Sequence, residues 1–160
     1  MILGTGPNAV ELHPLRHRFA RARGNPHDDN WLIIGCEVTT PERSWSFADP
    51  ALLIHEAHQV TDWLRGVAAG TIAPCGPDGA GYLSPDTWFV EPVLAFSLAD
   101  RGEGGLVLRI HLSLEARPPG RQGEDEPDLY QYFVQVRTDA AGVLHAADEW
   151  ERALAAFPPR

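Results

Sequence analysis

The sequence predicts an α+β fold: a largely antiparallel β-sheet of about six to seven strands covered by two helices. Three observations predict it. Segments that alternate apolar and polar residues with a period of two dominate the middle of the chain. Two stretches, 50–70 and 140–157, instead carry apolar residues at helical spacing. Glycine- and proline-rich turns separate them, and the strands occur in groups rather than in strict alternation with helices. At 160 residues the chain has the usual size of one domain, so 1–160 is expected to fold as a single domain with its core between about residues 10 and 157.

The elements follow in order. Val10, Leu12 and Leu15 to Phe19 predict a first strand, placed at a sheet edge because Pro14 cannot donate to a ladder. Arg21 to Asp29 is turn chemistry. Trp31 to Thr39 is a second strand with Leu32, Ile34, Cys36 and Val38 on its core face. Ser44 to Phe47 reads as a short third strand, and Asp49 followed by Pro50 reads as the cap and first position of a helix. That helix presents Leu53, Ala57, Val60, Leu64 and Val67 as one stripe and stops at Gly70.

Thr71 to Pro85 is a loop, and Asp86 to Pro92 a short strand closed by proline. Next comes a hairpin, with Leu94, Phe96 and Leu98 inward on one strand and Leu106 to Leu114 inward at alternate positions on the other. Asp100 to Gly105 is its loop. The second strand turns Arg109, His111, Ser113, Glu115 and Arg117 the other way, which predicts a half-solvated sheet. Pro118 to Pro127 is a polar loop, Leu129 to Thr138 the last strand, and Asp139 the cap of a final helix with Val143, Ala147, Trp150, Leu154 and Phe157 as its stripe.

Composition narrows the function. Twenty-two acidic residues against thirteen basic ones give a formal charge of −9, which repels a phosphate backbone and argues against direct nucleic-acid binding. The same charge favours a basic protein partner. No apolar run approaches the roughly 18 residues that cross a bilayer, and the N-terminal residues lack a signal pattern, so the cytoplasm is the expected location and no membrane partner is expected. Cys36 and Cys75 are expected as free thiols.

Catalytic constellations are weak. His55-Glu56-Ala57-His58 resembles the helical zinc-protease motif, but its histidines stand three apart where that chemistry needs four. His55, His58 and Asp62 share a helix face that reads as solvated, so no metal site is assigned. His111 and Ser113 share a strand face about 7 Å apart, too far for a base to reach a nucleophile without help. Glu91 and Glu115 can be drawn as paired carboxylates, yet nothing in the sequence brings them together. No cofactor is expected. Trp31, Trp45 and Trp88 read as core or core-edge residues; an exposed one is an interface anchor.

The blocks DDNWL, SWSFADP, the following helix to AAG, TWFVEPVLAFSL, LRIHLSLEARPP and DLYQYFVQV, taken in order, resemble the bacterial family of WapI-type immunity proteins. The resemblance runs from about Val10 to Phe157. It implies a non-enzymatic cytosolic protein that binds and neutralises a cognate polymorphic toxin domain, in the founding type a tRNA-cleaving nuclease. The expected contacts are the acidic loop, with Glu124, Asp125, Glu126 and Asp128, and the outward row, with Arg109, His111 and Glu115. The alternative is a small-molecule-binding or enzymatic domain on the polar sheet face around His111.

Overall fold

The computed structural model describes residues 1–160 apart from Thr5 and residues 121–128. The described residues form seven antiparallel strands and three α-helices, an α+β fold whose strands divide into two sheets. The first sheet holds β1 (Ile2–Leu3), β2 (Ala9–His17), β3 (Trp31–Thr39) and β4 (Ser44–Leu53) in that order. The second holds β5 (Leu94–Gly102), β6 (Gly105–Leu112) and β7 (Phe133–Thr138). The helices are α1 (Pro26–Asp29), α2 (Ile54–Ala69) and α3 (Ala140–Leu154), and a 3-10 turn, Leu114–Ala116, follows β6.

The core follows the alternation of the strands. Leu32, Ile34, Cys36 and Val38 of β3 join Leu94, Phe96 and Leu98 of β5 and Leu106, Leu108, Ile110 and Leu112 of β6 in one buried cluster. The stripes of α2 and α3 close it, and the Trp150 indole N–H donates to the Ala57 carbonyl at 2.8 Å, tying the two helices together. Pro14 lies where β2 shifts register against β3, beyond the stretch that β1 covers, so it costs no ladder bond on that side.

Two helix starts deserve comparison. Asp49 and Pro50 do not begin α2: both lie in β4, with Pro50 opposite Ile33 at a bulge. The local cap signal loses to strand pairing, because this stretch completes the edge of the first sheet. An Asn-Pro start occurs instead at α1, where the Asn25 side chain accepts from the N–H groups of His27 and Asp28. At α2 the work of a cap falls to Glu56, 3% exposed, whose carboxylate accepts from the Leu53 N–H at 2.8 Å. Its other oxygen accepts from the Val90 N–H at 2.6 Å, linking the helix start to a distant loop. Gly70, at φ +79°, ends α2 in the left-handed conformation that lets Thr71 N–H reach the Gly66 carbonyl.

Three further expectations change. Residues 86–92 lie beside β5 without forming a strand, with bends at Asp86, Val90 and Glu91, although their alternation is real. The hairpin turn is tighter than Asp100 to Gly105, since Gly102 and Gly105 already pair. The last strand starts at Phe133, with Leu129 and Tyr130 in a turn. Asp139 does cap α3, accepting from Gly142 N–H at 2.7 Å, but the helix ends at Leu154 and leaves Phe157 packed against the core from outside it.

Candidate functional site

The polar row of β6 is not solvated. Arg109 is 8% exposed, and His111 and Ser113 are fully buried. The loop after α2 folds over this face: Cys75 N–H donates to the Leu98 carbonyl, and the Arg109 guanidinium donates to the Cys75 carbonyl at 2.9 Å while lying over the Phe133 ring. The alternation of Arg, His and Ser suggested water because nothing local reveals the covering loop. Arg109 and His111 are therefore withdrawn as surface contacts. Glu115 is exposed at the 3-10 turn; Arg117, expected outward with it, is buried. Glu124, Asp125, Glu126 and Asp128 lie outside the described residues.

What the buried row does is hold a turn. His111 Nδ1 lies 2.5 Å from the Tyr130 carbonyl, which can only accept, so Nδ1 carries the proton and Nε2 accepts from the Ser97 hydroxyl at 2.8 Å. Burial lowers the His111 pKa below its ordinary value, keeping the ring neutral, with the Tyr130 hydrogen bond opposing. Ser113 Oγ accepts from the Tyr130 N–H at 3.0 Å. Tyr130 thus has both backbone polar groups engaged while its φ stands at +70°, a left-handed conformation uncommon for a non-glycine residue. The Ser97–His111 distance suits a nucleophile and its base, but both side chains have no solvent exposure. Cavities of about 380 Å³ beside the Thr40–Arg43 turn and about 240 Å³ beside His27, His55 and His58 are not lined by His111.

Above that turn stands an exposed face. In residues 85–90 burial alternates, with Pro85, Thr87 and Phe89 inside and Asp86, Trp88 and Val90 outside. Side-chain bonds fix the register: Thr87 Oγ1 accepts from Phe96 N–H, Asp86 Oδ2 accepts from Leu98 N–H and the Trp63 indole, and Glu56 holds Val90. Trp88 is left 61% exposed and Val90 60%. The Trp88 ring meets Tyr130 nearly perpendicular, with centroids 5.2 Å apart. Leu114, which has φ +52°, and Leu129 are also exposed, one at the 3-10 turn and the other beside Tyr130.

Carboxylates from three elements share this region. Asp49 of β4 has its pKa raised by partial burial and then by the charge of Glu115, with Arg18 opposing. Glu91 is raised by burial and then by Asp49 and Glu115. The Tyr130 phenol is raised by burial and then by Glu91, which ties the acidic group to the aromatic pair. The Glu91 and Glu115 that sequence could not connect do feel each other. Asp49 was missed because it mimicked a helix cap. Trp88, which reads from the sequence as a core or core-edge residue, is exposed, and the alternation in Thr-Trp-Phe-Val holds the signal for that.

Among the described residues no cluster of three or more His, Cys, Asp or Glu side chains has a metal-holding arrangement. His55, His58 and Asp62 are exposed on α2. Both cysteines are free, Cys36 buried and Cys75 half-buried. No described helix is long and apolar enough to cross a membrane.

Two antiparallel sheets, helices packed on one core and an acidic, partly apolar face define the class: a small α+β protein whose buried Ser-His pair supports a turn rather than opening onto a cleft. The family model for the Immunity protein WapI-like family matches residues 1–158, and the chain belongs to that family. An immunity-protein role follows from that membership. No curated protein and no solved structure matches the chain.

Proposed function

We propose that this protein is a non-enzymatic inhibitor that binds and neutralises a cognate polymorphic toxin domain in the cytoplasm of the cell that makes it. The observation that carries this reading beyond family membership is the formal charge of −9, to which Asp49, Glu91 and Glu115 contribute as an electrostatically coupled group that Arg18 only partly offsets. A toxin that cleaves RNA must be basic where it grips its substrate. An acidic inhibitor seated on that groove gains steering and complementarity while it excludes the nucleic acid. Glu124, Asp125, Glu126 and Asp128 add carboxylates to the same proposal on sequence grounds.

Enzymatic use of His111 has no comparable support, because the ring is fully buried and its two nitrogens serve Ser97 and Tyr130. The test is co-expression with candidate toxin domains encoded in the genome that carries this gene. Rescue of growth together with co-purification is expected. Failure of both removes the reading.

A further inference from the structure

We infer that the exposed Trp88, two residues from the exposed Val90 and packed on Tyr130 beside the exposed Leu129, is the anchor of the partner interface, and that it receives a basic protein surface. This deepens the toxin-binding reading and rests on it. Large exposed apolar side chains scattered singly need no explanation. Here an exposed tryptophan is braced by the ring of Tyr130, whose backbone is held in turn by the buried His111 and Ser113 side chains. A side chain fixed before contact loses little freedom on binding, and such Trp and Tyr residues dominate binding energy at the centres of interfaces.

The charge around it selects the occupant. The Trp88 ring packs on Tyr130, whose phenol pKa is raised by burial and then by Glu91. Glu91 in turn is raised by burial and then by Asp49 and Glu115, with Arg18 opposing, so the net charge acting on the aromatic pair is negative, as it is for the whole chain. An arginine or lysine of the partner can lay its stem and cation against the indole while its charge meets the carboxylates. A second copy of this chain would bring two sets of like charges together, which opposes self-association on this face. Phosphate-bearing ligands are opposed by the same field. Glu56 and His111 act as positioning residues, since Glu56 fixes Val90 and His111 fixes Tyr130.

The experiment is calorimetric titration of the full chain with the purified toxin domain whose toxicity this chain relieves on co-expression, or, where none is relieved, with each candidate toxin domain of the same genome, using wild type, Trp88→Ala and Leu144→Ala. Leu144 is 45% exposed on α3, so its variant controls for loss of any surface apolar group. Trp88→Ala is expected to raise Kd at least roughly 30-fold, with an unchanged melting temperature, and Leu144→Ala to leave Kd within about threefold. Glu91→Gln is expected to weaken binding and to flatten its dependence on salt. Trp88→Ala binding within about threefold of wild type overturns the inference while leaving the toxin reading intact. Absence of binding by wild type overturns the toxin reading and the inference with it. Self-association of the chain alone, abolished by Trp88→Ala in sedimentation, overturns the inference by naming a second copy as the occupant.

Discussion

Glu56 joins the start of α2 to the segment that carries Trp88, so its removal is expected to act on both stability and binding. Glu56→Ala deletes two charge-assisted hydrogen bonds, to Leu53 N–H at 2.8 Å and Val90 N–H at 2.6 Å. Each such bond contributes about 1.5–3 kcal/mol. Leu53 is only 2% exposed, so its N–H is left without a replacement, whereas Val90 is 60% exposed and its N–H can turn to water. Relief of a buried charge offsets part of the loss. The expected net cost is about 3 kcal/mol, which for a chain of this size lowers Tm by about 6–12 °C. Urea unfolding monitored by circular dichroism measures the first figure and a thermal melt the second. Glu56→Gln keeps one acceptor oxygen and is expected to fall between wild type and Glu56→Ala. A loss below about 1 kcal/mol for Glu56→Ala would refute the bridging role.

Three other outcomes are expected. Asp49→Asn should raise Tm slightly at pH 7, because burial and the neighbouring Glu115 disfavour the Asp49 charge in the folded state; the same substitution should weaken toxin binding, and thermal melts with titrations check the two signs. His111 has a folded-state pKa lowered chiefly by burial, so below about pH 6.5 the unfolded chain takes up a proton that the native ring resists. Stability from this group is therefore lost as pH falls from about 6.5 toward the folded pKa, and the gap in unfolding free energy between wild type and His111→Asn should narrow over that range. Of the two cysteines, Cys75 should react with a thiol reagent in the native protein while Cys36 stays inert, since burial pushes its pKa up to about 12; mass spectrometry of the labelled chain locates the adduct.

Much of the scaffold was legible in local pattern. The core face of β3, the stripe of α2 from Ala57 to Val67, that of α3 from Val143 to Leu154, the Asp139 cap and the stop at Gly70 all depend on neighbours within a few residues, and the structure has them where the sequence puts them, whereas Leu53 ends β4 and Phe157 lies beyond α3. The α+β class follows from those elements, but the division of the strands into two sheets is set by pairings that no single segment encodes. The failures share a cause. Asp49-Pro50 has good cap chemistry and was claimed by strand pairing with β3. Arg109, His111 and Ser113 have a solvent pattern but are buried, Arg109 against the loop at Cys75 and the other two against the turn at Tyr130, all distant in sequence.

The candidate site was less legible. Its carboxylates come from β4, from the segment after Pro85 and from the turn after β6, so their electrostatic coupling depends on tertiary structure. Trp88 could have been assigned outward from period-two alternation alone, because Phe89 claims the inner position next to it. Its exposure turns the conditional expectation about tryptophans into a specific residue. The buried Ser-His pair is the complementary lesson: chemistry-bearing residues at catalytic distance here serve a strained turn.

The most direct measurement is the affinity of this chain for the candidate toxin domains of the same genome, taken with wild type and Trp88→Ala at two salt concentrations. Tight wild-type binding that weakens with salt, and falls at least roughly 30-fold on loss of Trp88, is the expected result. Absence of wild-type binding, or binding that is indifferent both to salt and to Trp88, contradicts the account.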